Sequence, residues 1–197
     1  MLGMTHAAVA GATAVTLMHP STIPVMFVEV VAAVIGGLIP DTDTSSSIGA
    51  RATRKCVCIV GLQLVFGAIL WLGGESEMLT GVLSSFSWKQ AGGVLGVILL
   101  CVIGMLTPHR SLMHSIPMMI LATACMWCFS GALGVAFGIG YASHLALDMF
   151  NYKGISLFWP MKKKFCLKLC RSDGVVNTIF FVVCILGILA YAMFLYL

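Results

Sequence analysis

Seven side chains in this sequence are of the types that hold metal ions: His6, Asp41, Asp43, His109, His114, His144 and Asp148. Imidazole and carboxylate are the usual protein ligands of zinc, manganese and iron. His144 and Asp148 lie four residues apart, so on a helix they share one face, a turn apart, and can reach a single ion. The Asp41-x-Asp43 pair is a weaker signal, because D-x-D also occurs in ordinary turns and helix caps. His109 and His114 are five apart, about 140° around a regular helix. Either they serve different ions or the backbone between them is irregular. Seven candidates exceed the four ligands of one tetrahedral ion, and the excess suits two ions about 3.5 to 4 Å apart, bridged by a carboxylate. The plainer alternative is that each group snorkels to an interface or pairs with a neighbouring arginine.

The elements that must position these groups follow from composition. The chain has 197 residues, 60% of them apolar and only 9% charged, with a mean hydropathy of +1.05. No ordinary water-soluble domain has this balance, which excludes a dinucleotide-fold enzyme, a nucleic-acid-binding domain and a disordered tail. Apolar runs occur at 5–18, 23–39, 56–73, 92–106, 116–129, 133–150 and 175–197. They predict an all-α, polytopic transmembrane bundle of about seven helices in a single domain, residues 1–197. The first helix is short, and the N-terminus lacks the basic stretch of a cleaved signal. Thr107-Pro108 offers a cap and a first-turn proline, predicting that the fifth helix begins at Pro108. Residues 151–174 mix Trp, Phe and Leu with lysines and read as an interfacial segment on anionic headgroups. The eight cysteines read as reduced thiols; Cys125-x-x-Cys128 and the pair Cys166 and Cys170 each stand alone, without the second pair of a zinc finger.

Alternating the loops puts the N-terminus and segments 40–55, 107–115 and 151–174 on one face. That face carries Arg51, Arg54, Lys55, Arg110, Lys153, Lys162, Lys163, Lys164, Lys168 and Arg171, leaving Lys89 opposite. The positive-inside rule makes the rich face cytoplasmic, with the N-terminus inside and the C-terminus outside. All seven candidate ligands fall at the depth of that face. His19 and Glu29 do not, and read as a loop residue and a packing or cavity carboxylate.

The blocks T-H, L-I-P-D-T-D-T-S-S-S-I-G, P-H-R-S-L-M-H-S and G-Y-A-S-H-L-A-L-D, followed by G-I-S-L-F-W-P, occur in an order that resembles the YdjM-like bacterial inner-membrane proteins, a family of predicted metal-dependent hydrolases. The resemblance covers the first four-fifths of the chain. It implies metal ligation at His6, Asp41, Asp43, His109, His114, His144 and Asp148. Thr44 stands where the family has His, Ser111 where it has Gly and Met113 where it has Thr.

The expected activity is hydrolysis at one or two divalent ions, zinc first and manganese, magnesium or iron as alternatives. Arg51, Arg110 and Lys153 flank the ligands and are candidates for holding a substrate phosphate; the plain alternative is headgroup binding without catalysis. Asp43 or His114 is the candidate general acid. With Trp159 and the lysine-rich segment at headgroup depth, the expected substrate is a phospholipid or lipid-linked phosphate, with no nucleic-acid partner. A metal-ion or proton transporter and a catalytically silent scaffold are the competing classes. A conduit needs polar groups across the bilayer, whereas the stretches 57–72, 94–106 and 176–194 are nearly free of ionisable residues.

Overall fold

A computed structural model describes residues 2–44, 51, 87–161, 163–169 and 174–197. Within these the chain is all-α, with six helices: α1 (Gly3–Met18), α2 (Ile23–Leu38), α3 (Trp88–Met105), α4 (Ile116–Phe129), α5 (Gly131–Met149) and α6 (Val175–Tyr196). Short 3-10 turns cover Ile39–Asp43 and Leu112–His114. Among the described residues, four segments are long and apolar enough to cross a membrane: Ile23–Asp43, Trp88–Met105, Gly131–Met149 and Val175–Tyr196. The predicted helix at 56–73 lies outside the described residues. α1 and α4, at 16 and 14 residues, rise only about 24 and 21 Å.

The sequence explains the ends of these elements. Pro24 and Pro117 sit in the first turns of α2 and α4, where the missing amide hydrogen costs nothing. Ser87 and Gln90 form a reciprocal capping box on α3. One expectation fails here. The helix after Thr107-Pro108 does not begin at Pro108; it begins at Ile116, where the Ser115 side chain accepts a hydrogen bond from the Met118 amide. The reason is local. Arg110 adopts a left-handed backbone (φ 63°), which no helical turn accommodates, and Tyr141 donates its hydroxyl hydrogen to the Met113 carbonyl.

α5 is the central helix, packing against α1, α2 and α4, while α3 covers α4 and α6 rests on α1. Small residues make the first of these packings close: Ala10, Ala14, Ala32, Ala33 and Ala136 form one buried cluster. A Cβ on Gly36 or Gly140 would land on the backbone of the opposing helix, at the Phe137 and Ala33 carbonyls respectively. α2 and α5 therefore cross backbone to backbone. α6 buries only Asn177, whose side-chain oxygen accepts from the Leu2 amide at 3.1 Å.

After α5 the chain turns back on itself. Ile155 and Phe165 pair as an antiparallel bridge, and the Leu167 and Leu169 amides donate to the carbonyls of Met149 and Phe150. This strap also meets the loop before α4, through Ile116 N–H to Leu157 O and Ser156 N–H to Arg110 O. Phe158, Trp159, Met161, Leu167 and Leu169 remain exposed on it. Lys162 and residues 170–173 of the predicted interfacial segment lie outside the described residues.

Candidate metal centre

The bundle brings all seven candidate ligands to one end. His6 is in the first turns of α1, Asp41 and Asp43 are in the turn that ends α2, His114 is in the second 3-10 turn, and His144 and Asp148 are on the last turns of α5. His6, His114, His144 and Asp148 are all buried, at 0 to 2% exposure.

Four donor atoms converge. His114 Nε2 lies 3.3 Å from His144 Nε2, 3.5 Å from Asp148 Oδ2 and 3.7 Å from Asp41 Oδ1. His144 Nε2 lies 3.8 Å from Asp41 Oδ1 and 3.9 Å from Asp148 Oδ2. Bonds of about 2.0 to 2.1 Å at tetrahedral angles place ligand atoms about 3.4 Å apart. These separations suit a divalent ion held by the two imidazoles together with the Asp41 or the Asp148 carboxylate. His144 is turned for that purpose: its Nδ1–H donates to the Gly37 carbonyl at 2.7 Å, which leaves a bare Nε2 facing the cluster. The backbone crossing of α2 and α5 is what brings that carbonyl into reach.

His6 completes the inner group. Its ring stacks on His144 with centroids 3.9 Å apart, and its Nε2 is 3.4 Å from the other Asp148 oxygen, Oδ1. Its Nδ1 is buried without a hydrogen-bond partner. Such crowding of buried imidazoles has little apolar benefit, and the donor chemistry suits a cation. Three overlapping triads can be drawn: His6, His144 and Asp148; Asp41, His114 and His144; and Asp43, His109 and His114.

The outer part is different in character. The Asp43 carboxylate is fully buried, and its Oδ1 accepts from His109 Nδ1 at 2.7 Å, while the His109 side chain is 42% exposed. The Asp43 Oδ2 accepts from the Arg110 amide at 3.0 Å. The Arg110 guanidinium reaches Asp148 Oδ2 at 3.4 Å and the Gly154 carbonyl at 3.5 Å, at the edge of the cluster. Burial disfavours a charged His114. Hydrogen bonds with Asp148, Asp41 and Asp43 outweigh that, and the metal-free imidazole is pushed up to about 10.

Other expected site residues are placed less tightly. Arg51, Lys153 and Trp159 are exposed and, among the described residues, make no ion pair or hydrogen bond with the cluster. Two contributors were not anticipated: the Gly37 carbonyl, and Tyr141, which anchors the turn carrying His114. Tyr141 lies inside G-Y-A-S-H, one turn before His144, and that position was the available signal. Gly37 acts through its backbone, which no residue type announces.

No curated protein and no solved structure matches the chain. The profile of the YdjM inner membrane protein family does, over residues 1–197, and so extends past the motif blocks through α6. With a match of that extent and a buried His/Asp cluster at the end of an apolar bundle, the chain belongs to the YdjM inner membrane protein family.

Proposed function

We propose that this inner-membrane protein is a metal-dependent hydrolase that cleaves a phosphoester of a phospholipid or lipid-linked phosphate at the cytoplasmic leaflet. The observation that carries the reading is the convergence of the His114 and His144 Nε2 atoms, 3.3 Å apart, each 3.5 to 3.9 Å from an oxygen of Asp41 and an oxygen of Asp148. A bound divalent ion, zinc before manganese, magnesium or iron, would lower the pKa of water and stabilise charge on a phosphoryl oxygen. His6, beside the second oxygen of Asp148, is placed to hold a second ion or to complete the first. Arg110 stands at the edge of the cluster, with a planar cation suited to a phosphate oxygen. The strap outside it offers Lys153, Lys163, Lys164 and Lys168 with Phe158 and Trp159, the composition of a surface that meets anionic headgroups. The test is metal analysis of detergent-purified protein, followed by release of phosphate or headgroup from a lipid panel. We expect one or two ions per chain, and we expect Asp41→Ala and His144→Ala to lose both metal and activity. Full metal content and turnover in both variants would refute the proposal.

A further inference from the structure

We infer that Asp43 is a positioning residue, not a metal ligand, and that it fixes two imidazoles: His114, buried and turned onto the ion, and His109, at the exposed edge of the cluster. The inference rests on the metal-centre reading above and removes Asp43 and His109 from the ligands expected from sequence.

The argument begins with the lone pairs of Asp43. A ligating carboxylate must turn an oxygen to the ion, as Asp41 does by facing Nε2 of both His114 and His144. Both Asp43 oxygens instead face protein donors. Oδ1 accepts from His109 Nδ1 at 2.7 Å and from the Thr44 hydroxyl at 3.3 Å. Oδ2 accepts from the Arg110 amide at 3.0 Å. His114 Nδ1 is buried with no aligned hydrogen-bond partner, and Asp43 Oδ2, at 3.2 Å, is the acceptor it faces. A carboxylate behind the far nitrogen of a ligating histidine is the usual way such a ring is oriented.

The same carboxylate sets His109. His109 Nδ1 lies 2.7 Å from both Asp43 Oδ1 and the Thr44 hydroxyl; a carboxylate can only accept, so Nδ1 carries the hydrogen, and Nε2 is a bare acceptor that takes the Arg110 Nε–H at 3.4 Å. The two assignments agree on one tautomer. His109 is 42% exposed, against 0% for His114, and the two rings meet edge to face at 89°. The left-handed backbone at Arg110 makes this possible: it sends the amide of residue 110 to Asp43 while its guanidinium goes to Asp148. His109 therefore stands outside the ion's coordination, with its Nε2 against the Arg110 side chain.

The experiment uses the full chain in detergent, loaded with cobalt(II), and reads ion stoichiometry, affinity by chelator competition, and the visible ligand-field spectrum. We expect His109→Gln to match the unaltered protein in all three. Asp43→Asn should keep the stoichiometry and bind about 10 to 100-fold more weakly. His144→Ala should lose the ion. A drop of one ion per chain in Asp43→Asn or His109→Gln, or a changed spectrum in His109→Gln, would make these residues ligands of a second ion and overturn the inference while leaving the metal centre intact. Because His109 lies at the surface, its variant decides the matter even where Asp43→Asn does not fold. Failure of the unaltered protein to bind cobalt would instead remove the metal centre itself.

Discussion

A histidine surrounded by three carboxylates is stabilised by its own charge until an ion replaces the proton. His114 is pushed from 6.5 to about 10 by its bonds to Asp148, Asp41 and Asp43, against the opposing effect of burial. A folded-state value above the unfolded one contributes stability that is fully present below about 6.5 and is lost as pH rises through about 10. Metal-free protein should therefore lose thermal stability across that window, by a melting scan in detergent, while metal-loaded protein, whose ligand imidazole has already given up its Nε2 proton to the ion, should not. His114→Asn should flatten the metal-free profile; an unchanged slope would assign it to another group. Arg110 is the second residue whose chemistry can be isolated. Arg110→Ala should lower turnover on the order of 100 to 1,000-fold with metal retained, the usual cost of deleting one group that stabilises transition-state charge. Arg110→Lys should not restore it, because a point charge lacks the planar fork. Residue types alone brought all seven ligand candidates into view, since imidazole and carboxylate at lipid depth demand a reason. They did not reveal which nitrogen of His144 or His114 faces the ion. That depends on the Gly37 carbonyl and Asp43, contacts spanning more than 70 residues of sequence.

Helices place these groups only as well as they pack against each other. Gly140 and His144 lie one turn apart on the same face of α5, so the crossing that admits α2 at Gly140 also delivers the Gly37 carbonyl to His144. A side chain at position 140 would collide with the Ala33 carbonyl, and backbone does not yield as a flexible side chain does. Gly140→Val should destabilise the bundle by about 1 to 3 kcal/mol and reduce metal retention along with it, measured as melting temperature and ions per chain. Gly187, with open space around the Cβ it would acquire, is the control: Gly187→Ala should leave both unchanged. Hydropathy was sufficient to locate the six described helices to within a few residues, and its fifth apolar run, 116–129, coincides with α4; the misplaced start came from the cap reading. There the cap and proline at Thr107-Pro108 are genuine start signals, overridden by the Ser115 and Pro117 signals eight and nine residues on and by the tertiary pull of Asp43 and Tyr141 on the intervening loop. The 140° conflict between His109 and His114 was the legible clue that this stretch is irregular. The strap at 151–161 and 163–169 left no such clue, because a single bridged pair produces no periodic pattern.

At the scale of the whole molecule, the polar chemistry is one-sided. α1 and α6 both start at the site end, tied by the Leu2 amide to Asn177, and α6 then runs 22 residues, about 33 Å, to the other face. The N- and C-terminal ends of the chain therefore lie on opposite faces, with the His/Asp cluster and the strap lysines at the N-terminal one. Lys89, in the first turn of α3, belongs to the far end. Since positive charge on short loops is what retains a face in the cytoplasm, the N-terminal face should be inside. A phosphatase fused to the C-terminus should then be active and a fluorescent protein dark, with the opposite result for N-terminal fusions. The reverse pattern would put the cluster at the outer leaflet and end the inner-leaflet substrate reading, though not the metal centre. The same one-sidedness opposes transport: among the described residues, Glu29 is the ionisable side chain left within the apolar stretch of α2, remote from the cluster in sequence. Proteoliposomes should accordingly show no protein-dependent zinc or proton flux, and Glu29→Gln should leave metal content and hydrolysis unchanged. Flux abolished by that substitution would turn the assignment from a hydrolase to a carrier, because only a conduit needs a charge at mid-membrane.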